Sequence, residues 1–242
     1  MSIQALLEKI ALGLIDTRLG DTLKETGKLF YASDAGTAIS AASYSANELG
    51  DSVEKMQHVY LGPKYTNKAC IQACLDHENK PDYEVLENTT EYTAKLLAEG
   101  TPVSWFQGRM EFGPLALGNR SIIGNPGSKG VAEDMLQTDH PSPYMTFTFD
   151  VAESWKERIA EVVHEDGTAR AQIVTAEINP RYYELLTEVE KLTGNGVVLN
   201  TSLNRRGDPM VCSPTDALTM FYGSDLEYLV MEDILVRKIK PE

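Results

Sequence analysis

The sequence predicts an α+β protein, and three observations carry that reading. Short apolar runs of strand length recur at Val103–Phe106, 197–199, 226–231 and 234–238, each too short for a stable helix. Between them lie segments with one apolar helical face, clearest in Tyr182, Leu185, Leu186, Val189 and Leu192. Capping residues precede those segments and glycines close them.

Taken in order, residues 1–15 read as a helix rich in Leu, Ile and Ala, followed by a polar, Gly-punctuated stretch and a short strand at 29–31. Ser33 or Asp34 caps a small-residue helix that runs to Leu49 and stops at Gly50. A helix carrying Cys70 and Cys74 leads to a polar, Pro-bearing linker at 77–83. We expect the domain boundary there, giving segments 1–78 and 79–242. Asn88 with Glu91 caps a helix ended by Gly100. After the buried strand Val103–Phe106, strands are expected at 144–149 and 172–175. Asn179-Pro180 starts a helix that Gly194 closes, and Ser213 with Asp216 starts another that ends at Gly223.

The 242 residues suffice for a real core, and 42% hydrophobic with 24% charged residues is ordinary for a globular protein. A formal net charge of −14 with no basic run argues against nucleic acid as a partner. No apolar run spans a bilayer, and the first residues lack a basic region followed by an apolar one, so a cytoplasmic location away from membranes is the expectation. Cys70, Cys74 and Cys212 are an odd trio without metal-type spacing and read as reduced thiols.

The segment after the strand Val103–Phe106 breaks all periodicity. Residues 108–121, GRMEFGPLALGNRS, hold three glycines, a proline, a carboxylate and the arginines Arg109 and Arg120. Glycine permits close backbone approach, proline fixes φ, and the guanidinium forks suit phosphate or carboxylate. Two readings stay open, an anion-binding turn at a strand end or a Gly-rich turn whose arginines form salt bridges. Asn200-Thr201-Ser202-Leu203-Asn204-Arg205-Arg206-Gly207 likewise offers short donors with cations above them, suited to a triphosphate, or else a simple Asx-type turn.

Four blocks, WFQGRMEFGPLALGNRSI, HEDGTARAQIV, GVVLNTSLNRRGDPMVCSPTDAL and LVMEDILVRK, occur in one order over about 140 residues. Together they resemble the carboxy-terminal part of the NodU/CmcH O-carbamoyltransferase family. The resemblance implies a YrdC-like domain, a twisted mixed sheet flanked by helices, preceded here by a truncated actin-like α/β segment. It further implies that the YrdC-like domain forms carbamoyladenylate from carbamoyl phosphate and ATP, and that the actin-like domain passes the carbamoyl group to a hydroxyl acceptor.

Carried over residue by residue, the resemblance implies catalytic roles for Arg170, Ser202 and Asn200. It implies substrate or nucleotide contacts for Arg109, Gly113, Arg120, His164, Thr168, Asn204 and Arg205. Arg170 has a plainer alternative, a surface ion pair with Glu165 or Asp166. A D-A-G-T-A turn at 34–38 matches a family turn whose Asp ligates metal, which makes Asp34 a metal candidate and equally a helix cap. Magnesium would accompany ATP, whereas iron or another divalent metal would need histidines that a fuller actin-like half supplies.

Two departures stand out. Where the family reads G-P-R-A-L-G, this chain has Leu115, which offers no donors to a phosphate. A basic block between "NP" and "AED" in the family is missing, because Asn125-Pro126-Gly127-Ser128-Lys129-Gly130 runs straight into Val131-Ala132-Glu133-Asp134. Lys129 is the single cation in that gap. Two functions therefore follow: a carbamoyltransferase domain acting on small molecules, or an impaired nucleotide- and anion-binding remnant completed by a separate actin-like chain or a second copy.

Overall fold

In the computed structural model, the described residues are Ser45, Leu49, 57–113, 115–126, 142–157 and 159–238. The chain divides into two compact units, Met1–Met56 and Gln57–Glu242. The expected helix at 1–15, the strand at 29–31, Asp34, Gly36 and Lys129 lie outside the described residues.

The second unit opens with α1 (Asn67–Asp76), started by Thr66, whose hydroxyl accepts the Ala69 N–H at 3.3 Å. Strand β1 (Tyr83–Val85) precedes α2 (Thr89–Ala98). Asn88 caps α2 by accepting the Glu91 N–H while its amide donates to the Glu91 carboxylate at 3.0 Å. Strands β2 (Val103–Phe106) and β3 (Arg120–Gly124) follow, joined by the Gly-rich segment. A small satellite comprises β4 (Phe149–Asp150), the single-turn α3 (Glu153–Lys156), a 3-10 turn at Ala160–Val162 and β5 (Thr168–Ala169). The chain ends with α4 (Pro180–Thr193), β6 (Leu199–Ser202), α5 (Pro214–Tyr222), β7 (Tyr228–Met231) and β8 (Ile234–Arg237).

Six strands form one sheet in the order β1-β8-β7-β2-β3-β6. It is mixed, since β2 and β7 run parallel while the other neighbours are antiparallel. Helices cover both faces: α1 and α5 over Phe106, Leu229, Met231 and Val236, and α2 and α4 over Val103, Trp105, Ile123 and Val230. Because helices cover both faces of the sheet, all four residues of β2 are buried, Ser104 among them. Each large side chain so buried contributes on the order of 1.5–3 kcal/mol.

Three expectations need correction. Of the run 144–149 only Phe149 enters a strand, because Thr146, Phe147 and Thr148 are all exposed and present no buried face. Residues 172–175 form no strand; the Ile173 N–H goes to the Ser142 carbonyl at 2.8 Å instead. The strand expected at 197–199 is displaced to Leu199–Ser202, drawn into register by Ser121, Ile122 and Ile123 of β3. Asn200 and Ser202 are thus strand residues at the sheet edge, not loop residues beyond it.

Candidate functional site

The Gly-rich segment is built around Glu111, only 3% exposed. One carboxylate oxygen, Oε1, accepts the backbone N–H groups of Leu117 (2.8 Å), Asn119 (2.7 Å) and Arg120 (3.2 Å). A charged acceptor shared by three amides organises the return of the loop as a cap organises a helix start. Beside it, the amides of Gln107, Asn119 and Asn179 interlock at 2.8–3.0 Å, and Asn179 also caps α4. Gly118 passes so close to the Tyr182 ring that a Cβ there would stand 2.3 Å from it, at a φ of +96°. Among the described residues, sequence reasoning assigned no site role to Glu111, Gln107 or Asn119; their only signal was polarity inside a segment that otherwise closes on itself.

Arg120 is fully buried. Its guanidinium lies over the Phe106 ring at 3.6 Å and donates to the carbonyls of Gln107 (2.7 Å), Asn119 (2.8 Å) and Pro63 (3.2 Å). Burial pushes its pKa down, opposed by the Glu111 and Glu232 carboxylates. Antiparallel partners share a face and neighbours along a strand alternate, so Arg120 lies on the face opposite Ser121, Ser202 and Asn200. Arg109 is exposed and donates to the Leu61 carbonyl at 2.9 Å. Gly113 adopts a φ of +126°, with open space where a Cβ would stand.

His164, Thr168 and Asp166 shape the turn that precedes Arg170. Asp166 Oδ1 accepts the Thr168 N–H (3.0 Å) and hydroxyl (2.7 Å), bonds that hold its carboxyl below the usual range. The His164 ring lies 3.0 Å from the same hydroxyl, and the backbone N–H of His164 donates to the Thr168 carbonyl at 2.7 Å. Arg170 emerges exposed just past β5, with no hydrogen bond or ion pair among the described residues, so the alternative pairing with Glu165 or Asp166 is not formed.

Arg170 and Asn200 line one cavity of about 440 Å³, walled mainly by Tyr182, Tyr183 and Leu186 of α4, Ile173, Val174 and residues 196–199. That volume falls within the range of small-molecule sites, and the few polar groups on an apolar wall match their composition. The Asn200 amide donates to the Ala116 carbonyl at 2.9 Å, which joins the cavity to the Gly-rich loop, while its own oxygen is buried without a partner. Ser202 shares the Asn200 face of β6 opposite Ser121, but does not line the cavity. Asn204 holds the following turn through the carbonyls of Arg205 and Asp208, and Arg205 pairs with Asp208 at 2.9 Å. The ten predicted residues therefore fall into three groups: the cavity pair Arg170 and Asn200; the loop residues Arg109, Gly113 and Arg120; and His164, Thr168, Ser202, Asn204 and Arg205 around the strands that frame the cavity.

A second cluster sits in the turn between β7 and β8. Glu232, at a φ of +51°, accepts the Gly108 N–H at 2.8 Å, and Arg181 binds the Glu232 carbonyl (2.7 Å) and the Asp233 carboxylate (2.6 Å). Asp233 also takes the Asn67 amide at 2.7 Å, so the turn ties together α1, α4 and the Gly-rich loop. Among the described residues no group of three or more His, Cys, Asp or Glu is placed to hold a metal, and no helix is long and apolar enough to cross a membrane.

The family description "Carbamoyltransferase C-terminus" matches residues 94–137 and 129–238. The nodulation protein NolNO of Sinorhizobium fredii is 35% identical over 238 positions, covering 86% of this chain and 35% of that protein. NolO of Bradyrhizobium diazoefficiens is 33% identical over 86% of this chain and 43% of its own length. Nodulation protein U of Rhizobium tropici is 31% identical over 80% of this chain and 37% of its own. The chain thus spans roughly a third to a half of the relatives it matches. Because 86% of 242 residues is about 208, an alignment of 238 positions includes some 30 at which NolNO has residues and this chain has none. The family match itself is split at 129–137, close to where the sequence passes from Pro126 to Glu133 without the basic block.

Proposed function

This chain belongs to the carbamoyltransferase family through its carboxy-terminal part, and from that premise we propose that it binds carbamoyl phosphate and ATP at the Arg170–Asn200 cavity and joins them as carbamoyladenylate. The observation that carries the reading is the placement of Arg170, a cation without a partner among the described residues, in a small-molecule cavity on a chain of net charge −14. Water would cleave carbamoyl phosphate to phosphate and carbamate. The carbamate oxygen would then attack the α-phosphorus of ATP, with the bond to pyrophosphate breaking. Carbamate is already an anion, so the protein's contribution is positioning and charge neutralisation, not proton removal. Arg170 would neutralise a phosphoryl oxygen and the Asn200 amide would orient the ligand, with magnesium arriving on ATP. Delivery of the carbamoyl group to a hydroxyl acceptor would fall to an actin-like domain.

Three observations favour a second reading, binding without turnover. The Arg120 Nη1 and Nη2 groups are committed to backbone carbonyls, Leu115 stands where the family has arginine, and about 30 aligned positions are missing, which leaves Arg170 with few supporting cations. Loss of one such donor commonly costs about 3–4 kcal/mol of transition-state stabilisation. Incubation with carbamoyl phosphate and labelled ATP separates the two: pyrophosphate release above that of Arg170→Ala supports the enzyme, and release equal to it leaves only the binding module.

A further inference from the structure

We propose that Gln172 is a positioning residue, the tether that sets where Arg170 stands relative to the Gly-rich loop; the inference rests on the reading that Arg170 holds the anionic ligand. Arg170 lies past the end of the β4–β5 ladder, in a stretch with no strand partner among the described residues. Two bonds fix this stretch to Ser142, the Ile173 N–H to its carbonyl and its hydroxyl to the Ala171 carbonyl, both at 2.8 Å. Neither reaches the loop. Gln172 does: its Nε2 donates to the Leu117 carbonyl at 3.0 Å and meets the Tyr60 hydroxyl at 3.3 Å.

Leu117 is a well-anchored point to hold. Its carbonyl also accepts the Tyr60 hydroxyl at 2.8 Å, its N–H is bound by Glu111, and its side chain is 3% exposed. A carbonyl can only accept, so the amide nitrogen of Gln172 must face it. Asn200, from β6, holds the preceding carbonyl, Ala116, in the same way. Two amides from separate segments thus lace consecutive peptide groups of the loop to the two segments that carry Arg170 and Asn200. Gln172 and Arg170, two residues apart, both line the cavity. Holding the one restricts the other.

The test is a double-mutant cycle on the full chain with carbamoyl phosphate as titrant. Gln172→Met keeps the length and removes the donor; Gln172→Glu sets an acceptor against the Leu117 carbonyl and serves as the second variant. If Gln172 acts through Arg170, either change weakens binding about tenfold, and neither weakens it further in an Arg170→Ala background. Losses that multiply, or wild-type affinity in both variants, overturn the inference while leaving the ligand reading intact. Wild-type affinity in Arg170→Ala would instead sink the ligand reading. The tether is then judged by amide hydrogen exchange without ligand: faster exchange in Gln172→Met at both Leu117 and Ile173 supports it, and a change confined to one segment overturns it.

Discussion

The guanidinium of Arg120 lies 3.6 Å above the ring of Phe106, its cross-strand partner, on the face of the sheet opposite Asn200. A cation at that depth is tolerated because the carbonyls of Gln107, Gly108, Asn119 and Pro63 accept from its Nη groups and the ring takes its face. Arg120→Lys supplies a single point charge to a site shaped for a planar fork. It should cost about 3 kcal/mol of stability, read as a lowered urea midpoint with unchanged slope. An unchanged midpoint would mean that the buried contacts are not what retains Arg120.

Gly118→Ala is expected to be among the most damaging small substitutions in the chain. The added methyl would meet the Tyr182 ring at 2.3 Å, and φ is +96°. Strain and overpacking together should cost about 3 kcal/mol or more, measured as a fall in melting temperature. Gly113→Ala has the same kind of φ but open space around it, and should cost less.

The two carboxylates of the β7–β8 turn should respond to pH in opposite directions. Burial raises the Glu232 carboxyl above its usual range, against the pull of the Gly108 N–H and Arg181. A raised folded value means stability that is present at low pH and lost as pH rises through it. Burial also raises Asp233, but the Asn67 amide and the Arg181 charge outweigh it and leave that carboxyl low. Its contribution is present at neutral pH and lost as pH falls through the folded value. Urea midpoints followed from about pH 3 to pH 7 should therefore show the wild type losing ground to Glu232→Gln as pH rises above about 4.5, and losing its advantage over Asp233→Asn as pH falls below about 4.

Burial pushes the Cys70 thiol up to about 12 and the Cys74 thiol up to about 11, while Cys212 is half-buried and free. A thiolate-specific reagent at pH 8 should label Cys212 alone in the folded protein and all three in denaturant. Rapid native labelling of Cys70 or Cys74 would show that the α1–α5 layer opens easily.

What the sequence made legible was whatever depends on near neighbours. The caps of α2, α4 and α5 are patterns at most four residues long, Asn88 to Glu91, Asn179-Pro180 and Ser213 to Asp216, and all three form. The Arg170 turn is equally local, closed by Asp166, Thr168 and His164. Depth and distant partners were not legible. Arg120 reads as a phosphate fork by residue type, yet one of its acceptors is Pro63, 57 positions away in the chain. Asn200 reads as part of a turn until β3 supplies the ladder that draws it into the sheet. Glu111 and Gln172 have no local signature at all, since the partners of Glu111 lie 6 to 9 residues away and those of Gln172 lie 55 and 112 away.

Calorimetric titration of carbamoyl phosphate into the wild type, Arg170→Ala and Arg206→Ala tests the central claim most directly, because Arg206 is an exposed arginine in the turn after β6 and does not line the cavity. If Arg170 holds the anion, binding is lost or falls at least tenfold in Arg170→Ala, about the worth of one charge-assisted contact, and is unchanged in Arg206→Ala. Equal affinity in all three proteins would contradict it and place the anion somewhere other than the Arg170–Asn200 cavity.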